Sequence, residues 1–338
     1  MCAEKMLTFD THIDISWPEL TSEGLPAWER EESTPEAQTC FSLPQAREGG
    51  LSAACLVAYV PQGPLSAAGH EAAWKRVQAM LEVIHVLGAP GAPHARTVKK
   101  AADVQGAVGA GQVALVPVIE NGYAVGEDPA RLEALVRRFG VRYMTLTHNG
   151  HNLLADSAVV RSGPAESHGG LSALGRAMIE TMNRHGVLVD VSHAAKSTMM
   201  QAVAHSSVPV FASHSCVRSL CDHPRNLDDE QLDALKESGG VLQVTAMPPF
   251  LRRGGGGDLT DLVRHIRYAV DRLGIEHVGI SSDFDGGGGV AGWQNVAQCR
   301  NVTQALKAAG FDASEIEALW GGNMMRLLAL AERKAADA

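Results

Sequence analysis

The sequence contains no apolar run approaching the roughly 20 residues that a helix needs to cross a bilayer, so no membrane association is expected. It has little positive charge. Its 29 Lys and Arg stand against 38 Asp and Glu, giving a formal charge of −9, and no basic cluster is present to neutralise a phosphate backbone. Nucleic acid is therefore excluded as a partner. No charged segment followed by a long apolar one precedes the first strand-like run, and the six cysteines (positions 2, 40, 55, 216, 221 and 299) form no tight metal-binding repeat. A cytoplasmic protein with free thiols is the expectation. Also missing are a G-x-S-x-G elbow, an H-E-x-x-H helix and a P-loop, so an activated serine, a zincin site and nucleotide phosphate binding are all unsupported.

With 338 residues, 45% hydrophobic and 20% charged, the chain can bury a sizeable core. Apolar, β-branched runs recur at 6–15, 51–60, 113–120, 141–148, 186–193, 208–214, 240–247 and 277–283. Between them lie amphipathic stretches such as "HEAAWKRVQAMLEVIHVL", "PARLEALVRRF", "LSALGRAMIETMNR", "DDEQLDALKE" and "DLTDLVRHIRYAVDRL". Eight strands alternating with helices predict a (β/α)8 TIM-like barrel, with residues 1–338 as a single domain. The length beyond a minimal barrel falls in loops after the first two strands and in helices after residue 300.

Most of these strands run into an ionisable residue. In "FDTHIDI", His12 and Asp14 are two apart, so in a strand their side chains point to the same side. The others lead to Glu120, His148, His193, His214 and Asp283. In a parallel barrel all these ends share one rim, where barrel enzymes carry their chemistry. Burying so many carboxylates and imidazoles together is costly unless a cation is shared. His12, Asp14, Glu120, His193 and His214 form a nitrogen and oxygen donor set suited to zinc, with manganese, cobalt or iron able to substitute. Five ligands exceed one tetrahedral zinc, so two ions are expected: one on His12 and Asp14, the other on His193 and His214, with Glu120 bridging. Metal-assisted hydrolysis is the reaction class.

The blocks "THID", "PVIENG", "RYMTLTHNGHNLLADS", "LVDVSHAAKSTM", "VFASHSCVRSLCDHPRNLDDEQL", "GISSDFDG" and "GGNMMRLL" resemble, in order, the membrane (renal) dipeptidase family of zinc peptidases, in particular its soluble bacterial members. The resemblance implies a distorted barrel with two zinc ions that hydrolyses dipeptides and accepts a D-residue at the C-terminal position. It assigns the same five metal ligands. It makes Asp283 the group that takes a proton from the attacking water and passes it to the leaving amine. It sets His148 at the scissile carbonyl oxygen and Arg225 at the substrate carboxylate. His151 is the alternative to His148, Arg218 and His223 stand near Arg225, and Asp285 reads as a turn residue before Gly286. A homodimer is also implied. Gly150 replaces a cysteine of the vertebrate members, and the loop "TAMPPFLRRGGGGD" departs from the family pattern.

Two other functions fit the same metals: an amidohydrolase acting on N-acyl amino acids or other small amides, and a catalytically silent metal-binding barrel. Blocked dipeptides separate the first from a dipeptidase, and a metal-loaded but inactive protein would indicate the second.

Overall fold

The computed structural model describes residues 6–15, 39–160 and 163–337. Among them, nine strands form one parallel sheet: β1 (Phe9–Asp14), β2 (Ala53–Tyr59), β3 (Ala95–Thr97), β4 (Val113–Glu120), β5 (Tyr143–Thr145), β6 (Leu188–Asp190), β7 (Phe211–Ser215), β8 (Val241–Thr245) and β9 (Val278–Ser281). Eight follow one another in the order β1-β2-β4-β5-β6-β7-β8-β9, and β3 pairs with β4 off this path. The seam between β1 and β9 is joined by two backbone hydrogen bonds, Asp14 N–H to Phe284 O at 2.9 Å and Asp283 N–H to His12 O at 3.0 Å. The result is the predicted (β/α)8 barrel, nearly closed. Strand β3 was not foreseen because "ART" is short and only Ala95 of it is buried, which leaves no apolar run to detect.

Alternation along the strands separates two apolar faces. Leu56, Leu115, Ile119, Met144, Val189, Leu242 and Ile280 pack outward against helices such as Ala67–Leu87, Pro129–Phe139, Ala173–Arg184 and Leu259–Leu273. Phe9, Cys55, Val57, Val116, Val118, Tyr143, Leu188 and Phe211 belong to a second cluster on the inner face, extended by Met324, Leu327 and Leu328. Helix ends follow local chemistry. Asp128 accepts a hydrogen bond from Ala130 N–H ahead of Pro129, and Gly140, at φ 76°, ends that helix in the left-handed conformation. Asp228 with Gln231 and Asp258 with Asp261 form capping boxes.

Two register shifts interrupt the sheet, one between Asp10 and Ile13 in β1 and one between Ala212 and Ser215 in β7. Bulges re-aim the side chains they contain. His12 lies in the first and His214 in the second. No helix among the described residues is long and apolar enough to span a membrane.

Candidate metal centre

Glu120, the last residue of β4, stands at the middle of a buried cluster. Its Oε2 is 3.6 Å from His12 Nε2, while Oε1 is 3.0 Å from His193 Nε2 and 3.4 Å from His214 Nε2. The two oxygens thus face different imidazoles. Among the described residues, three groups of side chains could hold a cation: His12 with Glu120 and His214, Glu120 with His148 and His193, and His12 with Asp14 and Asp283. Glu120 is shared by the first two and His12 by the first and third. The geometry is less sharp than the division expected from the sequence, since His214 groups with His12 and Glu120 and also lies 2.9 Å, Nε2 to Nε2, from His193.

Three of the residues expected to end strands lie beyond them. Strand β5 stops at Thr145, β6 at Asp190 and β9 at Ser281, which leaves His148, His193 and Asp283 in the loops that follow. His193 and Asp283 have φ of 65° and 60°, a left-handed conformation that ends a ladder and turns the side chain back over the rim. Asn121, next to Glu120, has φ 81° and is held by its own amide: Nδ2 donates to Val60 O and Oδ1 accepts from Tyr123 N–H. With Asp285, at φ 62°, four non-glycine residues in rare conformations therefore border one site.

Hydrogen bonds on the far side of the rings set their tautomers. The Tyr143 hydroxyl donates to Thr11 O at 3.0 Å, so it accepts from His12 Nδ1–H at 2.8 Å. Asn149 Oδ1 lies 3.0 Å from His193 Nδ1 and accepts from it. Both rings therefore commit Nδ1 as a donor and turn Nε2 toward Glu120. His12 Nε2 and Asp14 Oδ1 are buried with no hydrogen-bond partner among the described residues. Orphaned donors of this kind, in a mixed imidazole and carboxylate set, fit a divalent cation such as zinc.

The buried charges of the cluster act on one another in opposite directions. Burial and Glu120 both drive the Asp14 carboxyl well above the usual range. Burial pushes Asp283 up to about 7. Burial alone would lower His12, but Glu120, Asp14 and Asp283 raise it to about 10. His193 and His214 are held well below the usual imidazole range, chiefly by burial and then by cations that include Arg225 for the first and His12 for the second. Neutral imidazoles of that kind have a lone pair to give.

Arg225 is buried, with one N–H reaching His214 O at 3.3 Å and Nε unpartnered among the described residues. Burial pulls its pKa down to about 10. A cavity of about 420 Å3 adjoins it, lined also by His193, Lys196, Arg218 and Glu166. His148 is part-buried, with its ring centroid 4.3 Å from that of His193. The alternatives are engaged elsewhere. His151 Nδ1 accepts from Ser157 N–H and its Nε2 donates to Pro164 O. Arg218 pairs with Asp222 at 2.9 Å on the surface. His223 Nδ1 accepts from Arg225 N–H, so it supports the arginine. Asp285 accepts from Cys40 N–H and Thr39 Oγ1, tying residues 39–41 to the rim.

Asp10, Tyr143, Asn149 and Asp190 were not singled out from the sequence. Asp10 belongs to the opening motif but accepts from His12 N–H and Ser282 N–H, across the seam. The only sequence signal for Asp10 and Asp190 is a carboxylate inside an otherwise apolar run.

A sequence model of membrane dipeptidases (peptidase family M19) matches residues 2–338. The chain belongs to the membrane dipeptidase family. Among its relatives, the dipeptidase VerJ of Clonostachys rogersoniana is 35% identical over 252 residues, 73% of this chain and 63% of VerJ. The dipeptidase AtaJ of Aspergillus terreus is 31% identical over 317 residues, 87% of this chain and 77% of AtaJ. The chain spans from about half to just under two thirds of VerJ, AclJ of Aspergillus oryzae and TcpJ of Claviceps purpurea. Among solved structures, the probable dipeptidase PvdM from Pseudomonas aeruginosa superposes with a TM-score of 0.88 at 28% identity, covering 98% of this chain and 96% of PvdM. A metallopeptidase from Rhodobacter sphaeroides, liganded with a phosphinate mimic of L-Ala-D-Ala, shares the fold at 24% identity with a TM-score of 0.84, covering 97% and 100% of the two chains. Membership of this family and the donor set around Glu120 agree on the use of metal.

Proposed function

We propose that this family member is a dinuclear zinc dipeptidase, built as one barrel domain, that cleaves small L-Xaa-L-Xaa and L-Xaa-D-Xaa dipeptides. The observation that carries this reading is the placement of Glu120 between two sets of imidazoles, of which His193 lines a cavity together with the buried Arg225 guanidinium, whose Nε has no partner among the described residues.

His12 and Asp14 would hold one ion, His193 and His214 the other, and Glu120 both. Bound divalent cations supply Lewis acidity, which polarises the scissile carbonyl and ionises the attacking water near neutral pH. The chain's own residues do the rest. Arg225 binds the substrate carboxylate through the planar fork of its guanidinium, fixing the C-terminal residue in the adjoining cavity. Asp283, beside His12 and Asp14, accepts the proton of the attacking water at a carboxylate oxygen and returns it to the leaving amine. His148, next to His193, donates a hydrogen bond where negative charge gathers on the carbonyl oxygen.

A site that recognises both termini should reject blocked substrates. Acetylating the N-terminus or amidating the C-terminus of a good dipeptide is expected to cut kcat/KM by about 100-fold or more. Equal turnover of blocked and free dipeptides would overturn the dipeptidase reading, and preference for the N-acylated form would replace it with an amidohydrolase for N-acyl amino acids. Elemental analysis of the same preparation should return two zinc ions per chain, and light scattering tests the expected homodimer.

A further inference from the structure

His214 has a supporting chain of a different kind from those behind His12 and His193. Behind its ring, Ser213 Oγ lies 2.8 Å from His214 Nδ1 and 2.6 Å from Asp190 Oδ2. Asp190 is fully buried at the end of β6. Its Oδ1 accepts two backbone N–H groups, from Ser192 at 3.0 Å and from Ser213 at 2.9 Å. Its Oδ2 accepts two hydroxyls, Thr145 Oγ1 and Ser213 Oγ. Every neighbour of this carboxylate is a donor, so the single hydroxyl proton of Ser213 points to Asp190. Two further contacts of Ser213 Oγ are longer, to Ser192 Oγ at 3.4 Å and to His12 Nδ1 at 3.3 Å, and the Nδ1 proton of His12 goes to the nearer Tyr143 hydroxyl at 2.8 Å. With its proton committed, Ser213 Oγ can only accept from His214, which places the ring proton on Nδ1 and the lone pair on Nε2, toward Glu120.

We propose that Asp190 is a positioning residue that sets the tautomer of His214 through the Ser213 hydroxyl, a carboxylate–hydroxyl–imidazole relay that makes His214 a competent metal ligand. The relay rests on the metal reading of the site but is separable from it. Asp190 touches neither the cation position nor the substrate; it dictates the direction of two hydrogen bonds. The β7 bulge makes the relay possible, because the register shift that contains Ser213 and His214 lets neighbouring residues address one ring from behind and in front.

The polarity of the relay gives a distinctive test. In Asp190→Asn the amide oxygen must stay with the two backbone N–H groups, so the NH2 replaces Oδ2 and donates to Ser213. The Ser213 proton then turns to His214 Nδ1, and the ring proton moves to Nε2, where the cation must bind. Asp190→Asn is expected to weaken zinc binding by about 10- to 100-fold in chelator competition and to alter the visible spectrum of the cobalt-loaded protein. Ser213→Ala removes the relay without inverting it and should weaken binding less, by about 10-fold at most. The double variant should therefore return to the Ser213→Ala affinity, because the asparagine no longer reaches the ring. A carboxylate that merely staples the strands predicts a double variant as weak as Asp190→Asn or weaker. That result, or wild-type affinity in either single variant, would overturn the proposal, and the Ser213→Ala arm decides it even where Asp190→Asn does not fold. A wild-type protein that bound no divalent cation would instead sink the metal reading itself.

Discussion

The Arg225 guanidinium carbon lies 5.3 Å from the centroid of the Phe250 ring, so an aromatic plane covers one side of a buried cation. Stacking fixes the plane of the fork, and Nε, which has no partner among the described residues, leaves it a donor for a ligand. Arg225→Lys keeps the charge but loses both the stack and the paired donors. It is expected to raise KM for free dipeptides by about 10- to 100-fold, with a smaller change in kcat. Steady-state kinetics on a dipeptide and its C-terminal amide check this, since the variant should no longer distinguish them well. A variant with wild-type KM would remove Arg225 from substrate binding.

Asp283 and His193 should fail in different ways. Asn tolerates the left-handed conformation of position 283, so Asp283→Asn leaves the backbone unchanged. It is expected to retain both ions and lose about 100- to 10,000-fold in turnover. His193→Ala should lose an ion. Metal counts and kcat on the two purified variants make the comparison, and normal turnover in the Asn variant would show that Asp283 moves no proton.

Gly286 packs directly on Asp14 and Asp283. A Cβ at this position would overlap Asp14 Oδ2 and Asp283 Oδ1, so Gly286→Ala must push both carboxylates aside. The expected outcome is a folded protein with weakened metal binding and little activity. Gly109→Ala is the control, because nothing lies within 4 Å of a Cβ there. Circular dichroism with metal analysis separates the two, and full metal content and activity in Gly286→Ala would show that the carboxylates can shift freely.

His265 lies behind the rim and gives the fold a pH dependence. Val217 N–H donates to its Nδ1 at 3.1 Å and its Nε2 donates to Leu251 O at 3.1 Å, so the neutral ring satisfies both contacts. Burial pulls its pKa down to about 4, against roughly 6.5 in an unfolded chain. The unfolded state then takes up the proton first. The contribution of this residue is complete above about pH 6.5 and declines as the pH falls toward 4, by about 3 kcal/mol in all. Urea unfolding of the metal-free protein at neutral and mildly acidic pH should show this loss, reduced in His265→Gln. An identical slope in both proteins would show that another group is responsible.

Much of the barrel was legible because alternation and helical periodicity act locally. "PARLEALVRRF" gives the helix Pro129–Phe139 residue for residue, since the Asp128 cap and Gly140 stop are both in the sequence. Strand ends were read too long at His148, His193 and Asp283; at His193 and Asp283 the ladder stops at a positive φ, which depends on the site that holds it and leaves no mark on composition. The residues singled out for metal, proton transfer and carboxylate binding converge in space, and their assigned roles now await the experiments above. The supporting residues Tyr143, Asn149 and Asp190 could not be read, because each acts through a partner brought to it only by the folded chain: Tyr143 meets His12 from 131 positions away.

The seam between β1 and β9 has a consequence for biogenesis. His12 and Asp283 come from opposite ends of the polypeptide and meet through a single main-chain contact across the last gap of the cylinder. Nothing shorter than that span brings the two together. A ribosome-bound fragment that ends before Asp283 would therefore carry all five of the proposed ligands but not the carboxylate proposed to move the proton, and the site is complete only once the first and last strands have docked.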